Sequence, residues 1–148
     1  MNPEIKNIIE DLKEKFDPEI LNITEKNDKR VTVDIPGKAI INISQYLYHD
    51  RHFRFIIASA LETKKGFEIY YHFSFDRTGL IMNLHVILPA EKPEIESLTG
   101  SFEGANWIER EMHEILGINF LNHPNLEKLI SQGNWAEGVY PYRKKPLS

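Results

Sequence analysis

Three runs of apolar, aromatic and β-branched residues dominate the middle of this chain and restrict what it can fold into. Residues 53–61 (FRFIIASAL), 67–75 (FEIYYHFSF) and 80–88 (LIMNLHVIL) are separated only by Thr63-Lys64-Lys65-Gly66 and Asp76-Arg77-Thr78-Gly79. Connections this short join antiparallel neighbours, so the pattern predicts a three-stranded meander. In the second run Ile69, Tyr71, Phe73 and Phe75 fall on one face, and Tyr70, His72 and Ser74 on the other. Pro89 and Pro93 close the region.

Around the meander the chain reads as helix and hairpin. Asn2-Pro3 is a helix start, and Ile5, Ile8, Ile9, Leu12 and Phe16 recur at helical spacing until Asp17-Pro18. Residues 20–25 and 31–35 flank an Asn27-Asp28-Lys29 turn and predict a β-hairpin closed by Pro36-Gly37. Residues 39–49 predict a second helix on Ile40, Ile43 and Leu47, with β-branched residues weakening it. A third helix is predicted over 105–116, stopped by Gly117 as a left-handed cap. The expected fold class is α+β: a two-layer domain with a mostly antiparallel or mixed sheet, helices on one face and an extended C-terminal tail. It reads as one domain over 1–148, with an α+β core at 1–104 and a signature helix and docking tail at 105–148.

Charge and cysteine exclude several functions. The chain has no cysteine, so it offers no disulfide, thiolate metal site, iron–sulfur ligation or cysteine nucleophile. Lys+Arg is 18 against Asp+Glu 22, a net charge of −4, which gives no global field for nucleic acid. No apolar run is long enough to insert in a membrane, and the charged N-terminus lacks the apolar core of a signal peptide. These features predict a soluble cytoplasmic protein.

Residues 107–146 carry the chemistry. At helical spacing Ile108, Met112, Ile115 and Leu116 share the expected core face, beside a stripe of Trp107, Glu111, Glu114 and Ile118. Glu109 and His113 are expected on the outer side, and Arg110 one turn before Glu114. Local pairing of Arg110 with Glu114 and of Glu109 with His113 is the plain structural reading, each pair contributing about 0.2–0.5 kcal/mol. His113-Glu114 begins like a zincin helix, but Gly117 stands where the second histidine belongs. Glu109, His113 and His123 form a possible metal trio, and Glu111 with Glu114 a possible acid–base pair. No nucleophile elbow, phosphate loop or dinucleotide fingerprint is present. His123 before Pro124 is held extended, and a histidine there commonly bonds to backbone. The tail from Trp135 is aromatic and basic and should run extended over a surface.

The run WIEREMHEILGINFLNHPNLEKLI, followed by WAEGVYPYRKK, resembles the signature of the thirty-kilodalton subunit family of respiratory complex I. That family includes the matching subunit of membrane-bound energy-converting nickel–iron (NiFe) hydrogenases. Trp107, Glu109, Arg110, Glu111, Gly117, Phe120, His123, Pro124, Leu126, Pro141, Arg143 and Lys144 occupy the family's positions. Glu114 stands where Asp is usual, Asn122 replaces Gly, Tyr142 replaces Leu and Lys145 replaces Asp.

The resemblance implies a subunit without its own cofactor. The NiFe centre and iron–sulfur clusters are expected in partners, namely a hydrogenase-type large subunit and an iron–sulfur small subunit. Membrane subunits are reached only indirectly. It implies docking through Trp107, Glu109, Arg110, Glu111, His113, Glu114, His123, Pro124, Tyr140, Pro141, Arg143 and Lys144. The location implied is cytoplasmic, on the inner face of the cell membrane through the complex. His113-Glu114, and a chain ending soon after Arg143-Lys144, favour a stand-alone subunit of an Ech-type hydrogenase. A subunit of an NADH or F420H2 dehydrogenase of the same family is the alternative. A small metal-dependent enzyme using Glu109, His113 and His123 is the alternative of a different class.

Overall fold

The computed structural model describes residues 3–124. Their order is α1 (Pro3–Phe16), β1 (Asn22–Asn27), β2 (Arg30–Asp34), α2 (Ile40–Gln45), β3 (Arg54–Thr63), β4 (Gly66–Phe75), β5 (Leu80–Leu88), β6 (Glu94–Glu96), α3 (Ala105–Leu116) and β7 (Asn119–Leu121). The α+β class predicted from the sequence is borne out. A five-stranded sheet has the order β1-β2-β5-β4-β3, and β6 with β7 forms a second, two-stranded sheet. The predicted extended tail, with Tyr140, Pro141, Arg143 and Lys144, lies outside the described residues.

The chain divides into two compact units. The first contains Met1–Ile57 and Tyr70–Val86. Here α1 buries Ile5, Ile8, Ile9, Leu12 and Phe16, the stripe its periodicity marks. Lys15 extends over the Phe16 and Tyr46 rings, which meet edge to face at 5.3 Å. The β1–β2 hairpin is antiparallel as expected, with Val31 and Val33 buried. β2 then pairs with β5 in parallel, Thr32 opposite Asn83 and Asp34 opposite His85. That parallel seam makes the sheet mixed.

The second helix is shorter and less regular than predicted. A 3₁₀ turn over Gly37–Ala39 leads into α2, and Tyr46–Asp50 widens into a π turn. The Arg51 N–H donates to the Tyr46 carbonyl at 3.1 Å, a bond spanning five residues. The β-branched Ile40, Ile41 and Ile43, which lower helix propensity slightly, all fall within this short α segment.

The second unit contains Ala58–Ile69 and the residues from Ile87 onward. Its β6 and β7 run parallel, with Ile95 opposite Phe120, and both side chains are buried. A parallel pair needs a crossover, and α3 supplies it. Gly117 caps α3 at φ 78°, its N–H donating to the His113 carbonyl at 2.9 Å. This is the left-handed cap that the sequence predicts. β7 lies where the sequence reading expected no strand.

Candidate docking helix and its buried carboxylate

The core face of α3 is rotated from its predicted position. Ala105, Glu109, Met112, Glu114 and Leu116 are buried, whereas Ile108 and Ile115 are only half-buried. Glu109, expected on the outer side, is 1% exposed. The reason is chemical: the loop after β6 offers its carboxylate two donors. Ser97 Oγ donates to one oxygen at 2.6 Å, and the Leu98 N–H to the other at 2.8 Å. Ser97 Oγ also lies 2.7 Å from the Thr99 hydroxyl, which ties the loop to itself.

Burial disfavours the carboxylate form and pushes the Glu109 pKa up to about 7, against the opposing pull of the Leu98 and Ser97 donors. The signal for this clamp was present as Ser97-Leu98-Thr99-Gly100, a small polar run ahead of the helix. Without the β6–α3–β7 arrangement, nothing connects that run to Glu109.

His123 meets the same cluster from the end of β7. Its side chain is fully enclosed, and Nε2 lies 3.8 Å from Glu109 Oε1, too far for a hydrogen bond. Nε2–H donates instead to the Asn106 carbonyl at 3.2 Å, the backbone partner expected from its position. Burial lowers its pKa, the Asn106 carbonyl pulls the other way, and the Arg110 and His113 charges add to the lowering.

Asn122 explains how the chain reaches this point. It has φ 63°, a left-handed conformation that Gly or Asn tolerates, and its amide donates to Glu96 at 2.9 Å.

The remaining candidates separate. His113 does not pair with Glu109; its Nδ1–H donates to the Ile118 carbonyl at 2.9 Å. The proposed metal trio therefore divides, and among the described residues no group of three His, Cys, Asp or Glu side chains is placed to hold a metal ion. Glu114 is buried while Glu111 is exposed, so they make no acid–base pair facing a common space. Pro124 is exposed. Trp107 is 59% exposed, and the Arg110 guanidinium carbon lies 6.0 Å from its ring centre, a cation–π distance.

Known proteins resemble both sequence and fold. The family described as the respiratory-chain NADH dehydrogenase 30 Kd subunit matches residues 33–147. A subunit of the F(420)H(2) dehydrogenase of Methanosarcina mazei is 29% identical over 142 residues, covering 94% of this chain and 89% of that protein. A subunit of the NADH-quinone oxidoreductase of Citrifermentans bemidjiense is 28% identical over 137 residues, covering 90% and 83%. A chain of the membrane-bound sulfane sulfur reductase, an archaeal respiratory membrane complex, shares the fold. It aligns with a TM-score of 0.84 at 20% identity, over 95% of this chain and 84% of that one. Among the described residues no helix is long and apolar enough to cross a membrane. The chain belongs to the family of the 30 kDa subunit of the respiratory-chain NADH dehydrogenase.

Proposed function

We propose that this chain is a non-catalytic, cofactor-free subunit of the peripheral arm of a membrane-bound oxidoreductase. It docks on the large subunit through α3 and supports assembly of the electron-transfer module. The observation that carries this reading is the two-sidedness of α3. A buried carboxylate pins the helix to its own fold from inside, while a tryptophan stands 59% exposed on the outside. A rigid helix that presents a large aromatic side chain has the composition of an interface core. Of the residues named from the sequence, Trp107 and Arg110 form the docking surface, with Glu111 at its edge. Glu109, Glu114 and His123 hold that surface in place. The absence of cysteine agrees with clusters being held by a partner.

The complex is proposed to be of the hydrogenase type, as His113-Glu114 favours. A dehydrogenase of the F420H2 or NADH type is the second reading, supported by the relatives in Methanosarcina mazei and Citrifermentans bemidjiense. The test is a tagged pull-down from detergent-solubilised membranes, with mass spectrometry and metal analysis. A large subunit and an iron–sulfur subunit in the eluate support the reading, and stoichiometric nickel selects the hydrogenase branch. Elution of the chain by itself from the soluble fraction sinks it.

A further inference from the structure

Arg110 on α3 carries a donor that has no acceptor among the described residues. Arg110 is half-buried, and its Nε–H is enclosed there without an acceptor. Of the carboxylates within one turn of it, Glu109 is bound to Ser97 and Leu98, Glu114 is buried with partners of its own, and Glu111 stands exposed. An enclosed donor without an acceptor is costly, more so when the group is charged, and because this Nε–H is covered by the chain itself an outside acid meets the guanidinium at its other nitrogens. The ring beside it is Trp107, whose electron-rich face holds the guanidinium but leaves most of the indole in water.

Arg and Trp together are the commonest makings of an interface hot spot. A guanidinium presents a planar fork of donors that a carboxylate fills with two parallel bonds, and an ammonium cannot copy that geometry. Charge complementarity therefore fixes the chemistry of what covers this face. A second cation would repel Arg110, and a purely apolar surface would bury it unpaired.

We propose that Trp107 and Arg110 form one anchor. The indole seats in an apolar pocket of the large subunit, and an aspartate or glutamate on the rim of that pocket binds the Arg110 guanidinium. This rests on the docking reading above and specifies the partner's side of it. Glu111, one turn after Trp107 and exposed, lies at the edge of the same contact.

The experiment uses the tagged complex in native membranes. Benzoylphenylalanine replaces Glu111, which leaves Trp107 and Arg110 intact, and the cross-linked peptide is sequenced after irradiation and purification. The expected result is a cross-link to the large subunit, in a peptide that carries an Asp or Glu beside apolar residues. Arg110→Gln should lower the cross-link yield at least about tenfold, and Arg110→Lys should fail to restore it, as expected for a hot-spot arginine. Exchanging charges, with Arg110→Glu here and arginine at the partner's acid, should recover the yield.

A cross-link to a second copy of this chain, or to a partner surface without acids, overturns the proposal. So does a yield unchanged by Arg110→Gln. These failures leave the complex intact on the tag. If nothing co-purifies, it is the docking reading itself that fails.

Discussion

Each compact unit places a histidine beside a carboxylate, and the two pairs behave differently. In the first unit His85 Nδ1 lies 2.8 Å from Asp34 across the parallel seam, with the Asp34 side chain 33% exposed. Tyr70 stacks on the same imidazole at 4.4 Å. In the second unit His123 and Glu109 are 3.8 Å apart with side chains 0% and 1% exposed. There the ring donates to a backbone carbonyl, and the carboxylate takes its bonds from a serine and a backbone N–H. Proximity makes a pair only where the donor points at the acceptor. Where it does not, desolvation decides the chemistry, raising the acid and lowering the base.

The largest effect that would break this contrast comes from removing the buried acid. Glu109→Ala strands the Ser97 hydroxyl and the Leu98 N–H and leaves a cavity, so it should cost about 3–4 kcal/mol in urea unfolding at pH 5. A loss under 1 kcal/mol would mean that the clamp does not hold the loop.

The next effect is a dependence on pH. The Glu109 pKa in the folded chain is about 7, above its ordinary value of 4.5. Its contribution is therefore fully present below pH 4.5 and is lost as pH rises through 7. The span is about 3 kcal/mol, at 1.36 kcal/mol for each pKa unit. His123 acts in the opposite sense: its folded pKa lies below 6.5, so stability is lost as pH falls beneath that value. Stability profiles of the native chain and Glu109→Gln should thus converge as pH falls from 7 to 4.5, and the variant should keep only the decline on the acid side. Parallel profiles would show that the carboxyl is not desolvated.

Asn122 sharpens the role of backbone placement. Asn122→Val puts a β-branched residue at φ 63° and should cost about 1–2 kcal/mol, whereas Asn122→Gly should stay within about 1 kcal/mol of the native chain. Thermal melts of the two variants measure the difference, and equal melts would count against backbone strain as the cause.

Asp34→Asn tests the partly solvated counterpart. A partly solvated pair is screened, so the loss should be no more than about 1 kcal/mol. At the far end, Arg54 and Asp76 make a two-bonded but fully exposed pair at 3.1 Å. Arg54→Ala should leave the unfolding midpoint unchanged within error.

The elements that local physics controls are legible in the chain itself. The stripe of α1, the strands of the meander and the glycine that ends α3 each follow from spacing or φ preference within a few residues. The signature from Trp107 to Lys144 also gave the family, because residue identity is enough for that.

Tertiary structure alone decided the pairings between distant segments. The parallel seam joins residues about fifty positions apart, and β7 finds β6 only because α3 crosses between them. Neither contact leaves a mark in local periodicity. Glu109 is the sharpest instance. By residue type it belongs outside, and only the Ser97 hydroxyl and Leu98 N–H, brought to it by that crossover, offset enough of its lost hydration to hold it inside.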